Sequence, residues 1–473
     1  MTDTPNLRVA IVGGGPGGYA AAFLAADLGL QVTLIDNELN PGGVCLYRGC
    51  IPSKSLLHVA KLIDESHQAT NWGIDYADPK IDVARLRSWK EGVVKKLTGG
   101  LGQLSKQRKV EYIQGRAGFE NSNTLRITRA NGAAESRSFD RIIIATGSRP
   151  AVIPTLKLDS PRMMDSTGAL DLSDVPGSLL VIGGGYIGLE LGTVYAALGS
   201  KVSVVEMLPG LLPGADRDLV LPLHKRLEKM FASIMLNTTV FAVKLEGNGI
   251  RVTFDGPEVK EREKVFDRVL VSVGRKPNSE IPGLEKTKVK VGARGFIQVN
   301  KQLQTDDPAI YAIGDVVGEP MLAHKASHEG RTAAEAIAGH KVAFEPHAIP
   351  AVVFTDPEIA WAGLTETRAQ KDGHEIKVTR FPWAASGRAV TVDRVEGMTK
   401  IIFDPKSERV LGVGIVGVSA GEMIAEGVLA IEMAATATDL ELTIHPHPTL
   451  SETIMESAEM FFGTSTDIYR PKR

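Results

Sequence analysis

One pattern of residues occurs twice in this chain, 170 positions apart. In residues 7–36 a short apolar run, Val9 to Val12, enters a glycine-rich turn. An alanine-rich stretch ending near Gly29 and a second apolar run closing at Asp36 follow. Residues 179–206 repeat this with Leu179 to Ile182, the turn Gly183-Gly184-Gly185, a helical stretch to Gly199 and a strand closing at Glu206. The pairs Gly13/Gly183, Gly15/Gly185, Gly18/Gly188, Leu28/Leu198, Gly29/Gly199, Val32/Val202 and Asp36/Glu206 all keep that offset. Solenoid repeats are far shorter, so this is one strand–helix–strand unit used twice.

The turn in each unit is G-x-G-x-x-G, carried by Gly13, Gly15 and Gly18 and again by Gly183, Gly185 and Gly188. Glycines there permit a tight turn and let backbone N–H groups and a helix N-terminus approach a pyrophosphate. The acid that ends each second strand can accept hydrogen bonds from ribose hydroxyls. One such motif is weak evidence, but here each copy follows a strand, opens a helix and meets an acid. Two units imply two dinucleotides. Glu206 also selects between nicotinamide cofactors, because a 2′-phosphate would be repelled and would need a cation nearby. No Lys or Arg occurs between Glu206 and Arg217, which favours NAD over NADP.

A chain of 473 residues suggests about three domains. A third block over 277–347 holds TDDPAIYAIGD and a helix predicted from His324 to Ala338. From about Pro350 a fourth block shows branched apolar segments (Ile401 to Phe403, Val410 to Val416), a helix from Ala420 to about Ala434, two His-Pro pairs, and another helical stretch to Phe462. Lys+Arg (54) nearly balance Asp+Glu (56), giving no reason to expect nucleic acid or a polybasic membrane contact. Met1 to Asn6 does not read as a targeting segment, and no uncharged apolar run spans a membrane, so the expectation is a soluble cytoplasmic protein.

The two cysteines, Cys45 and Cys50, lie in GGVCLYRGCIPSK just after the first unit. A secreted disulfide scaffold would use more. Zinc usually takes four ligands, and no second pair exists. Passive burial suits a single Cys better than two in a Gly- and Pro-flanked segment. The pair reads as redox-active, and no metal is expected.

Together the doubled turn, GGVCLYRGCIPSK, IIIATGSRP (142–150), TDDPAIYAIGD (305–315) and HPHPTLSE (445–452) resemble the pyridine nucleotide–disulfide oxidoreductases, in the family's order along almost the whole chain. The resemblance implies an α/β fold with two Rossmann-like dinucleotide-binding domains plus an α+β dimerisation domain. The implied division is FAD-binding at 1–150 and 277–347, NAD-binding at 151–276 and interface at 348–473. FAD would be held by Gly13, Gly15, Gly18, Asp36, Lys54, Thr146, Gly147, Gly314, Asp315, Met321, Ala323 and His324. NAD⁺/NADH would be held by Gly183, Gly185, Gly188, Glu206 and Gly274. Cys50 would face the flavin and Cys45 would meet substrate. Lys54 would sit near the flavin with Glu190 as its partner, and His447 and Glu452 would be the catalytic base and its orienting acid. In the family that last loop comes from the partner subunit of a homodimer.

The branch most resembled oxidises protein-bound dihydrolipoamide to lipoamide and reduces NAD⁺. Its implied partner is the lipoyl-bearing subunit of a 2-oxoacid dehydrogenase or glycine-cleavage complex. A glutathione-type reductase and a non-catalytic flavoprotein assembly subunit are the alternatives. Val44, Tyr47 and Arg48 depart from the family's usual Thr and Asn-Val. Tyr186 is bulkier than the usual aliphatic residue and resembles the gating tyrosine of glutathione reductases.

Overall fold

The computed structural model describes residues 7–129, 131–257 and 259–469; the N-terminal stretch Met1 to Asn6 lies outside them. Strands Arg8–Val12 and Gln31–Asp36 are adjacent and parallel, with helix Pro16–Asp27 between them in sequence. Val9, Ala10 and Ile11 are fully buried. A strand covered on both faces reads as a continuous apolar run, which is why both units begin with one.

The first sheet runs Ile310–Ala312, Arg141–Ile144, Arg8–Val12, Gln31–Asp36, Glu111–Asn121 as parallel neighbours. Strands Thr124–Arg129 and Ala134–Ser138 extend it antiparallel. The second sheet runs Met163–Met164, Arg268–Val271, Ser178–Ile182, Lys201–Val205, Ser233–Met235, all parallel. The duplicated strands therefore occupy the same places in both. The far edge strand differs in origin: Ile310–Ala312 follows the whole second unit, whereas Met163–Met164 precedes its own. The chain leaves the first sheet, builds the second, and returns.

That return brings helix Ala323–Ile337 onto helix Pro16–Asp27. A Cβ on Gly330 would lie 2.4 Å from the Gly17 carbonyl oxygen, so the helices meet backbone to backbone. The 323–337 helix matches the sequence expectation to one residue at each end, as terminal fraying allows.

The last region is an antiparallel sheet in the order Ala351–Val353, Glu358–Gly363, Val410–Gly417, Met398–Phe403, Lys377–Pro382, packed with helices Ala420–Glu432 and Glu452–Phe462. Buried Lys400 ties this region to the second unit. Its Nζ lies 2.7 Å from Asp216, 2.7 Å from Asp218 and 2.9 Å from Glu366. The ammonium fills the one cluster of carboxylates among the described residues that is spaced for a cation. Among the described residues no helix is long and apolar enough to cross a membrane.

Candidate active site

The two glycine turns match bond for bond. Gly13 N–H donates to Ile35 at 2.8 Å and Gly183 N–H to Val205 at 2.9 Å. Asp36 accepts from Gly14 N–H at 2.5 Å and Glu38 N–H at 2.9 Å, and Glu206 from Gly184 at 2.7 Å and Leu208 at 2.8 Å. The next segment is tied back in each: Gly42 N–H to Gly14 at 2.7 Å, Leu212 N–H to Gly184 at 3.0 Å. Gly13 and Gly183 have φ of 110° and 107°, where a side chain is strained. Each acid is thereby fixed beside its turn, leaving carboxylate lone pairs for a ribose. Arg217, the first cation after Glu206, spends its guanidinium on the carbonyls of Leu211, Leu212 and Ala215.

One cavity of about 300 Å³ reaches from the first turn to the cysteines. Its walls include Gly13, Gly15 and Asp36; Cys45, Cys50 and Lys54; Thr146 and Gly147; Gly314, Asp315, Met321 and Ala323; and Glu190 from the second unit. Gly43 makes the junction possible. It has φ 57°, and its Cβ would lie 2.5 Å from the Gly15 Cα, so helix Gly43–Arg48 rests directly on the first turn. Cys45 sits in that helix, and Cys50 opens the next, Cys50–Gln68.

Both cysteines are thiols in this structure. The hydrogen bond from Cys45, aided by the Lys54 ammonium, lowers the Cys50 thiol to about 7, against burial and Glu190. The same bond, with burial, pushes the Cys45 thiol upward. The pair is thus asymmetric, with the thiolate favoured on Cys50.

Lys54 Nζ lies 2.7 Å from Glu190 Oε2. Glu190 is only 3% exposed, and its other oxygen accepts from the Phe354 N–H at 3.0 Å. Asp315 accepts from Ser148 Oγ at 2.5 Å, and Arg275 donates to that hydroxyl at 2.7 Å. Gly314 N–H donates to Glu329 at 2.6 Å, and Glu329 pairs with Lys325 at 2.7 Å. Phe354, Ser148, Arg275, Glu329 and Lys325 went unnoticed in the sequence. Only Ser148 carried any signal, as part of IIIATGSRP.

The remaining predicted residues lie off the cavity wall. Gly18 packs behind its turn, where a Cβ would sit 1.8 Å from the Gly13 oxygen. His324 turns its Nε2 to the Pro350 carbonyl at 2.8 Å, and burial lowers its pKa. Gly183, Gly185, Gly188 and Glu206 lie at the second unit's turn, and Gly274 follows strand Arg268–Val271; Tyr186, opening the helix after that turn, reaches the cavity. Burial pushes the Tyr186 phenol to about 12. His447 Nδ1–H donates to Glu452 at 2.9 Å, and Glu452 also accepts from the Thr449 N–H at 2.7 Å. The His447 side chain is 78% exposed and is not part of its own chain's cavity wall.

A family model described as pyridine nucleotide-disulphide oxidoreductase matches residues 7–330, and the dimerisation-domain model of the same family matches 349–458. The chain is 48% identical to a dihydrolipoyl dehydrogenase of Vibrio cholerae over 472 residues, covering 100% of this chain and 99% of that protein. It is 49% identical to one of Haemophilus influenzae, with 100% and 98% covered. Among solved structures it resembles LpdA from Mycobacterium tuberculosis, with a TM-score of 0.90, 28% identity, and 96% and 99% of the two chains covered. It also resembles the HOCl-induced flavoprotein disulfide reductase RclA from Escherichia coli, with a TM-score of 0.85, 28% identity, and 96% and 99% covered.

Proposed function

The chain belongs to the pyridine nucleotide-disulphide oxidoreductase family, and from that premise we propose that it is a dihydrolipoyl dehydrogenase, oxidising a lipoyl dithiol to its disulfide and reducing NAD⁺. The observation that carries the reading is the continuous cavity joining a dinucleotide turn to the two thiols and the Lys54–Glu190 ion pair beside them. Its residues fit FAD. A side-chain-free turn and a fixed carboxylate suit the ADP half, and Asp315 and Gly314 suit the chain between the rings. Bound there, FAD supplies a two-electron carrier between the thiols and NAD⁺.

The protein's own groups divide the work. In the oxidised enzyme Cys45 and Cys50 form a disulfide. A substrate thiolate attacks the Cys45 sulfur, and the Cys45–Cys50 bond breaks to release Cys50 as thiolate. The second substrate thiol loses its proton and displaces Cys45, closing the substrate disulfide. Cys50 is the better leaving group because its thiolate is favoured. Lys54, held by Glu190, keeps positive charge beside it. The exposed imidazole of the partner's His447 takes the substrate protons, and Glu452 holds that ring and stabilises its charged form. The matched dimerisation domain supports a homodimer, and in this reading the loop is supplied across the subunit interface. Glu206, with Arg217 already engaged, selects NAD⁺ over its 2′-phosphorylated form. The physiological partner under this reading is the lipoyl-bearing subunit of a 2-oxoacid dehydrogenase or glycine-cleavage complex.

The deciding experiment is NADH-linked turnover with lipoamide and oxidised glutathione side by side, repeated with NADPH. Rapid lipoamide reduction with NADH is expected. Turnover confined to glutathione, or a preference for NADPH, would overturn the assignment.

A further inference from the structure

We infer that Phe354, supplied by the dimerisation region, is a positioning residue for the thiol pair: it fixes the Lys54 ammonium between a carboxylate and an aromatic face, and so helps set the charge felt by Cys50. The inference rests on the proposed thiol chemistry and extends it to a residue in neither dinucleotide unit.

Three contacts carry it. Lys54 Nζ lies 4.5 Å from the Phe354 ring centroid, within the range where a ring quadrupole attracts a cation. The Phe354 backbone N–H donates to Glu190 Oε1 at 3.0 Å, while Lys54 takes Glu190 Oε2 at 2.7 Å. One residue therefore orients both members of the ion pair, the carboxylate through its main chain and the ammonium through its ring. Phe354 directly follows strand Ala351–Val353 and packs against the core shared by the second unit and helix Cys50–Gln68, which holds the ring in place. A Lys side chain has four flexible bonds, and a single carboxylate partner leaves it free to pivot. The ring removes that freedom.

The charged and titratable groups around Cys50 include Cys45 on the preceding helix, Lys54 on its own, Glu190 and Tyr186 on the second unit's helix, and Tyr19 on the first unit's. Of the cations lining the same cavity, Arg48 is engaged by Glu38 and Arg275 by Ser148, while Lys54 acts on both thiols. A change in how it is held reads out directly on the Cys50 thiolate.

The test uses dithiol-reduced holoenzyme and iodoacetamide. Tryptic cleavage after Arg48 places Cys45 and Cys50 in separate peptides, so Cys50 alkylation is followed alone across pH. Phe354→Leu should raise the alkylation midpoint by about half a pH unit, and Phe354→Tyr should restore it. Fluorinated phenylalanines placed at position 354 alone keep the shape while draining the ring's negative face, and should raise the midpoint stepwise even if Phe354→Leu folds poorly. In a Lys54→Met background none of these changes should matter. An unmoved midpoint across the fluorinated series, with Lys54→Met still shifting it, would overturn the role of Phe354 and leave the proposed function intact. An unmoved midpoint in Lys54→Met itself would instead strike at the proposed wiring of the thiol pair.

Discussion

The two strand–helix–strand units share a frame down to individual hydrogen bonds, yet they border different spaces. In the first, the segment after the acid folds into helix Gly43–Arg48, lies on the glycine turn and delivers Cys45 and Cys50 to the cavity. In the second, the corresponding segment leaves Met207 and Leu208 exposed, and a Cβ added to Gly185 would meet nothing within 4 Å. Substitutions at matched positions do the rest. Pro16 corresponds to Tyr186, and Ala20 to Glu190, the buried partner of Lys54. Identical turn chemistry thus serves two purposes. One copy is roofed over, as suits a resident cofactor, and the other stays open, as suits one that exchanges.

The sharpest way to break this contrast is to cut the sulfur chemistry out of the first unit. Cys45→Ser should lower dithiol turnover by about 10³-fold or more while NADH still bleaches the flavin absorbance through the second unit. His447→Gln should lose about 10²-fold in the dithiol half-reaction. Co-expressing the two variants should recover activity, because a mixed dimer regains one site with both groups intact. No recovery would place His447 and Cys45 in one site of one chain.

A smaller effect tests the units against each other. An alanine Cβ at Gly188 would meet the Gly183 oxygen at 2.4 Å and Ser272 Oγ at 2.5 Å; one at Gly18 would meet the Gly13 oxygen at 1.8 Å. Gly188→Ala should raise the KM for NADH about tenfold, some 1.4 kcal/mol, at unchanged flavin content. Gly18→Ala should instead lose flavin on purification. Flavin loss from Gly188→Ala would reverse the roles assigned to the two turns.

The frame was legible in the sequence because a tight turn, a buried parallel strand and a ribose acid each demand particular residues at fixed spacing. The repeat of 170 positions reports the same bonds seen in the structure. What holds the catalytic groups was not legible. Glu190 reaches Phe354 across 164 positions and Ser148 reaches Arg275 across 127, and neither pair leaves a local pattern. The Lys400 cluster and the antiparallel strands that widen the first sheet were missed for the same reason: their partners are set by packing. Helix Val83–Gln107 also went unnoticed despite its 25 residues: it carries four internal glycines, which weaken a helical pattern, and its register is held by buried Lys90, bonded to the Leu170 carbonyl at 2.6 Å.

The smallest expected effect concerns Tyr47 and Arg48, between the cysteines. Tyr47 is built in: its hydroxyl accepts from the Asn40 N–H at 3.2 Å and donates to the Asn40 carbonyl at 3.0 Å, bracing the cysteine helix against the loop before it. Arg48 pairs with Glu38, but the two side chains are 40% and 25% exposed. Pairs so open to water contribute at most about 1 kcal/mol and fade with salt. Arg48→Val should therefore leave flavin content unchanged, and kcat/KM for lipoamide within about twofold at moderate ionic strength. Arg48 and Glu38 both line the cavity, so the opposite result has a definite meaning. A tenfold loss in Arg48→Val, absent from a Glu38→Gln control, would show that the guanidinium touches a bound ligand, and that the first unit's roof recognises as well as covers.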